Sequence, residues 1–381
     1  MIPYGRQSIS DADVDAVIKV LRSDYLTQGP AVPSFEQAVA KIVGSKHGVA
    51  FNSATSALHS ACLAMGVSEG DLVWTSPISF VASANCALYC GADIDFVDVD
   101  VATSNISISA LTNKLEAAAR HGKLPKVVIP VHMGGLSCDM KALADLANRF
   151  QFRIIEDASH AIGGKYECQP IGDCRYSDIT VFSFHPVKII TTGEGGMAMT
   201  QNDELAARLR LYCSHGITKN PDDFVQSADG DWYYEQQLLG FNYRMTDLQA
   251  ALGQSQCARI EEFIAKRQQL AIRYDELLAD LPVELPGKKK NASSSFHLYA
   301  VRTTGTEKRK EVFRALRTAG IFVNVHYIPI YHQPFYRKRG FARGYCANAE
   351  LYYENAISLP IYPSMTRIEQ DFVVEQLRRS L

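Results

Sequence analysis

Short, apolar, β-rich runs alternate with helical stretches over the first two-thirds of the chain, and this alternation limits the folds open to it. The runs are HGVAFN (47–52), DLVWTSP (71–77), DIDFVDVD (93–100), PKVVIPVHM (125–133), FRIIEDASHA (152–161), DITVFSFH (178–185) and GGMAMTQ (195–201). Several are apolar throughout, the pattern of strands covered on both faces. Between them lie helical segments such as SALHSACLAMG (56–66) and MKALADLANRF (140–150). The first closes on Gly66, where a missing Cβ suits a helix C-cap. Repeated β-α units predict an α/β fold, a mostly parallel central sheet with helices on both faces. In such sheets ligands bind beyond the carboxyl ends of the strands, which is where the polar clusters following these runs fall.

The pattern then changes. Residues 242–281 read as one long helical stretch, kinked at Gly253, and PVELPGKKKNASSS (282–295) reads as a loop in which Lys288 to Lys290 are solvated. FHLYAVR, KRKEVFRALRTAG and FVNVHYIPIY suggest strand, helix, strand. A large domain (1–255) followed by a smaller C-terminal α+β domain (256–381) is therefore expected, and 381 residues exceed what one core usually serves. The net charge of -2, with basic residues scattered, gives no electrostatic case for nucleic acid. The first residues lack a cationic start and an apolar run, and no stretch approaches the apolar length of a membrane span, so a cytoplasmic protein is expected. The nine cysteines form no C-x-x-C pair. Cys86 and Cys90 could share a helix face, but no histidine pattern joins them; reduced, mostly buried thiols and no metal site are expected.

One lysine stands out in VFSFHPVKIITTGEGGM (181–197): Lys188 lies between a strand-like run and a glycine turn. A lysine amine can form a Schiff base with an aldehyde cofactor. Pyridoxal phosphate would also need a carboxylate at its ring nitrogen, a phosphate cradle and a flat neighbour. Asp157 ends an apolar run at the ligand edge of the sheet, and Glu156 should face the other way. Asn52-Ser53-Ala54-Thr55 opens a helix, where free N–H groups bind phosphate, and Ser183 could add a hydroxyl. Phe80 is the candidate flat partner, and His160 could meet the ring hydroxyl. Each has an ordinary alternative. Asp157, Ser53 or Thr55 could be plain helix caps, Phe80 and His160 core residues, Ser183 a buried serine and Lys188 a snorkelling surface lysine. Their order along one α/β chain is what gives them weight together.

The segments YLTQGPAVPSFEQAVAKIVGSKHGVAFNSATSAL, SFVASAN, EDASHAIGG, FSFHPVK, GEGGM, GFNYRMTDLQAALG and VHYIPIYHQPFY, spread over nearly the whole chain, resemble the DegT-type sugar-nucleotide aminotransferases, pyridoxal-phosphate enzymes of fold type I. The resemblance implies that Lys188 is the Schiff-base lysine and that Asp157 pairs with the ring nitrogen. It implies that Phe80 stacks on the ring and that His160, where many relatives carry glutamine, contacts the ring hydroxyl. Ala54, Thr55 and Ser183 match the phosphate site. Asn242 matches an asparagine lent to the neighbouring subunit, so a homodimer with shared sites is implied. Tyr4, Tyr25, Leu26, Thr27, Val325, His326 and Tyr327 match substrate-side positions. FNSATSALH, SHAIG, FSFHPVK and VHYIPIY most resemble the subgroup of pseudaminic acid synthesis, which implies L-glutamate as donor and a UDP-linked 4-keto-6-deoxy-N-acetylhexosamine as acceptor. Three rivals remain: a sugar dehydratase of the same fold, in which histidine replaces the lysine, a non-catalytic regulator on the same scaffold, and an epimerase or racemase of the fold, for which no residue here is distinguishing.

Overall fold

The computed structural model describes residues 1–381. Each of the apolar runs holds a strand, and together they form one sheet in the spatial order 47–51, 196–200, 179–183, 153–157, 127–129, 72–75, 93–96. Val127–Ile129 and Ile179–Ser183 are buried along their whole length, as strands covered on both faces must be. Only Gly196–Thr200 runs against its neighbours, antiparallel to both His47–Phe51 and Ile179–Ser183. The chain returns from Ser183 to Gly196 through a loop with no crossover helix, and a return of that kind can only be antiparallel. This loop carries Lys188.

Because the other strands all point one way, their carboxyl ends gather at one edge. Residues 52–55, 76–80, 130–134, 157–160 and 184–188 emerge there. Helices cover both faces, among them Ala54–Ala64, Ala82–Tyr89 and Met140–Phe150. Gly66 follows the first of these with a φ of 73°.

The C-terminal region differs from the sequence expectation in several places. The long helix is two helices, Asp247–Cys257 and Ile260–Leu277, and residues 242–246 lie outside them. Thr246 caps the first: its Oγ1 accepts from the Gln249 N–H at 3.3 Å, and Gln249 Oε1 accepts from the Thr246 N–H at 3.0 Å. The break falls at Ala258–Arg259, not at Gly253. There Gln256 and Arg259 reach back to the buried Asp13 carboxylate at 2.8 and 2.6 Å. Gly253 sits mid-helix for packing, since a Cβ there would lie 2.6 Å from the Phe35 ring. The run FVNVHYIPIY is a strand only at its first residue, Phe322, the end of the strand Ile321–Phe322, with one further bridge from Asn324 to Ser358. It pairs with the N-terminal Ile2–Pro3, so the chain's first residues are built into its C-terminal layer. Ala356–Leu359, antiparallel to Tyr299–Arg302, is a strand the periodicity did not reveal, and so is the short Ala292–Ser293, which pairs with Lys165–Tyr166 inside the segment read as a loop.

All nine cysteines are free thiols, and no helix is long and apolar enough to cross a membrane.

Candidate active site

A cavity of about 570 Å³ opens at the carboxyl edge of the sheet. One wall is the start of the Ala54–Ala64 helix. Ser53 is its N-cap: Ser53 Oγ accepts from the Ser56 N–H at 3.1 Å, and the Ser53 N–H donates to Ser56 Oγ at 3.2 Å. The capping reading of Ser53 therefore holds. The N–H groups of Ala54 and Thr55 follow in the first turn, where no intrahelical acceptor exists. Both residues line the cavity, with Ser183 nearby on its own strand. Gly196 makes the arrangement possible. A Cβ there would lie 2.5 Å from the Ala54 nitrogen, so the strand after the lysine loop can approach the helix start only as glycine.

The opposite wall holds Asp157, which is 4% exposed at the end of its strand. Its Oδ2 accepts from the Ser83 hydroxyl at 2.5 Å and its Oδ1 from the Ser159 N–H at 3.1 Å. These bonds hold the carboxylate in one orientation. Glu156 points the other way, as strand alternation requires, and its Oε2 meets His132 Nε2 at 2.6 Å on the far face.

Lys188 projects from its loop into the cavity. The loop is closed by Phe184, whose N–H donates to Gly195 O at 2.9 Å and whose carbonyl accepts from the Thr192 N–H at 3.0 Å. Burial lowers the Lys188 amine from its ordinary value to about 8, and the Asp157 carboxylate partly offsets that effect. His160, His297 and His326 share the cavity wall. Burial first, then the nearby Lys188 charge, pushes the protonation of all three down, His326 to about 3. The lysine thus faces neutral imidazoles.

Of the site residues expected from the sequence, Tyr4, Ala54, Thr55, Phe80, Asp157, His160, Ser183, Lys188, Val325, His326 and Tyr327 line this one cavity. Phe80 is 60% exposed at its rim, so it is no core residue. Tyr25, Leu26, Thr27 and Asn242 do not line the cavity of their own chain. Tyr25 borders a separate groove with Lys19 and Asp247, and the Asp247 carboxylate holds the loop that follows Tyr25 by accepting from the Gly29 N–H at 2.6 Å. Asn242 is exposed beside the helix start, its carbonyl 3.5 Å from Asn52 Nδ2. Sequence reasoning missed Ser83, His297 and Glu194. Ser83 lies within SFVASAN, where only the three-residue offset from Phe80 could have suggested that it turns inward. His297 sat inside a run read as strand.

These groups form a donor set for one kind of ligand, with free helix N–H groups and hydroxyls for a phosphate, an oriented carboxylate for a ring nitrogen, an amine of lowered proton affinity for an aldehyde and an exposed aromatic face. The donor set fits pyridoxal phosphate. A family model described as the DegT/DnrJ/EryC1/StrS aminotransferase family matches residues 7–378.

The chain belongs to that family.

It is a sugar aminotransferase of the DegT group, and its cofactor is pyridoxal 5′-phosphate. It is 38% identical over 383 aligned residues to the spore coat polysaccharide biosynthesis protein SpsC of Bacillus subtilis, covering 99% of this chain and 96% of that protein. It is 34% identical over 388 residues to a UDP-4-amino-4,6-dideoxy-N-acetyl-beta-L-altrosamine transaminase of Campylobacter jejuni, covering 99% of this chain and 96% of the relative. Among solved structures, the putative sugar aminotransferase Spr1654 of Streptococcus pneumoniae in its PMP form superposes with a TM-score of 0.91 at 29% identity, covering 100% of this chain and 99% of that one.

Proposed function

We propose that this DegT-family aminotransferase moves the amino group of L-glutamate to the C4 keto carbon of a UDP-linked 4-keto-6-deoxy-N-acetylhexosamine, as in pseudaminic acid synthesis. The observation that carries the reading is the meeting of Lys188, Asp157 and the Ser53–Thr55 helix start in one cavity. Similarity to the altrosamine transaminase along nearly the whole chain supports the choice of sugar. SpsC, at a slightly higher identity, favours a second reading in which the acceptor is another nucleotide-linked 4-keto-6-deoxy sugar.

Pyridoxal phosphate, when bound, supplies an aldehyde that receives the amino group and a ring that takes up the electron pair left when the α-proton departs. The Ala54 and Thr55 N–H groups, with the Thr55 and Ser183 hydroxyls, hold its phosphate. The Asp157 carboxylate, oriented by Ser83 and Ser159, keeps a proton on the ring nitrogen. Phe80 covers one face of the ring. Lys188 Nζ would anchor the cofactor and, as a free amine, would serve as the base that takes and returns the α-proton. A lysine lowered to about 8 carries enough free base near neutral pH for both tasks. Tyr4, Val325, His326 and Tyr327 frame the sugar side of the cavity.

Tyr25, Leu26, Thr27 and Asn242 serve the neighbouring subunit of a homodimer in this reading, which is why they lie outside their own chain's cavity. The retained Lys188 argues against a dehydratase, and a non-catalytic binder has no need of a nucleophilic amine beside an oriented carboxylate. The test is transfer of label from L-[15N]glutamate. Mass spectrometry should find 15N in a UDP-4-amino-4,6-dideoxy sugar, with 2-oxoglutarate released. Transfer only to other nucleotide sugars would select the second reading, and free 15N-ammonia without an aminated sugar would remove the transferase role.

A further inference from the structure

Both ring nitrogens of His160 already have partners, and this bears on the group it serves. The residue is 5% exposed. The Gly134 N–H lies 3.3 Å from His160 Nδ1. A backbone N–H can only donate, so Nδ1 carries a lone pair and the ring is neutral. Its single proton is therefore on Nε2, which lies 3.2 Å from the Tyr327 hydroxyl. That hydroxyl accepts from His160. Its own proton has no protein acceptor, and Tyr327 lines the cavity. The O–H can only be turned into it.

The cofactor's other polar groups are already provided for in the reading of the site given above, on which this inference rests. The phosphate has the Ser53–Thr55 helix start, the ring nitrogen has Asp157 and the aldehyde carbon has Lys188. The ring oxygen is the group to which that reading assigns no donor. His160 has no free N–H to give it.

We propose that Tyr327 is the hydrogen-bond donor to the cofactor's ring oxygen, and that His160 is a positioning residue that acts on the cofactor through Tyr327. The His160 N–H fixes which way the tyrosine proton points. The neutral ring that this requires agrees with burial and with the nearby Lys188 and His326, all of which disfavour the cation.

A donor to the ring oxygen favours the less protonated form of the lysine-linked cofactor, so it lowers the pH at which the visible band titrates. The experiment titrates that band in the pyridoxal-phosphate-loaded protein, with thermal melting to confirm that each variant is folded. Tyr327→Phe should raise the midpoint by about one pH unit, a tenfold change in proton affinity. His160→Gln, whose amide N–H still reaches the tyrosine, should stay near wild type. His160→Leu should raise the midpoint in the wild-type background and change nothing further when Tyr327 is already Phe. An unmoved midpoint in Tyr327→Phe overturns the donor assignment. A His160→Leu shift that persists undiminished in the Tyr327→Phe background overturns the positioning role and gives His160 a direct contact. A protein that forms no visible band dependent on Lys188 would instead refute the cofactor site itself, a distinct result.

Discussion

The capture of pyridoxal phosphate by the cofactor-free protein should follow the ionisation of one amine. Lys188 is lowered from 10.5 to about 8 by burial. At pH 7 about one in ten such amines is neutral, roughly 300-fold more than for a lysine of ordinary pKa. The observed rate of Schiff-base formation should therefore rise tenfold per pH unit up to about 8 and flatten above about 9. Stopped-flow absorbance between pH 6.5 and 10 reads this directly. Lys188→Ala should abolish the fast phase and leave only slow reaction at surface lysines. Asp157 supplies a second test with a definite sign. Its charge holds the amine up against burial, so Asp157→Asn should move the midpoint to lower pH. A wild-type rate that keeps climbing tenfold per unit to pH 10 would show an ordinary lysine and refute the argument from burial.

Three further outcomes follow from the same geometry. Ser83→Ala removes the hydroxyl bonded to Asp157 at 2.5 Å; a hydrogen bond to a charged group contributes about 1.5–3 kcal/mol, so equilibrium dialysis should show pyridoxal phosphate held at least tenfold more weakly, with the fold intact by circular dichroism. Gly196→Ala places a Cβ 2.5 Å from the Ala54 nitrogen and should displace the helix start, so that cofactor affinity falls by more than tenfold while Lys188 remains reactive toward small aldehydes. Lys188→Met should stabilise the cofactor-free protein. The folded-state pKa of about 8 lies below the unfolded one, so the destabilisation is full below pH 8 and gone above the ordinary lysine range. Allowing for water in the cavity, the gain near pH 7 is about 2 kcal/mol, read as a higher melting temperature that converges with wild type as the pH is raised past 10.

The sheet was legible because its strands are buried on both faces: Val127–Ile129 and Ile179–Ser183 are apolar for a reason that local sequence carries. The site edge followed from the same pattern, since parallel strands share one carboxyl edge. What local sequence could not carry was pairing at a distance. Ile321–Phe322 owes its extended form to Ile2–Pro3, more than three hundred residues away, and Ala356–Leu359 to Tyr299–Arg302. The helix break at Ala258–Arg259 depends on Asp13, which no window around Gly253 contains. Among site residues, Lys188 was found because it stands alone among apolar and small residues, and Asp157 because it ends an apolar run at the ligand edge, with strand alternation turning the adjacent Glu156 away. Ser83 was missed because a serine among small helical residues reads as packing until the helix is seen to turn it toward Asp157. The His160 to Tyr327 contact spans 167 positions, and only the folded chain shows that both imidazole nitrogens are engaged.

The most direct test of the account is the visible absorption spectrum of the purified protein with pyridoxal phosphate, recorded alone, after L-glutamate, and after a UDP-linked 4-keto-6-deoxy-N-acetylhexosamine. The account predicts a yellow band that requires Lys188, fades when glutamate donates its amino group and returns when the keto sugar removes it. A band that forms in Lys188→Ala as in wild type, or one that neither amino donor nor keto sugar changes, would contradict it.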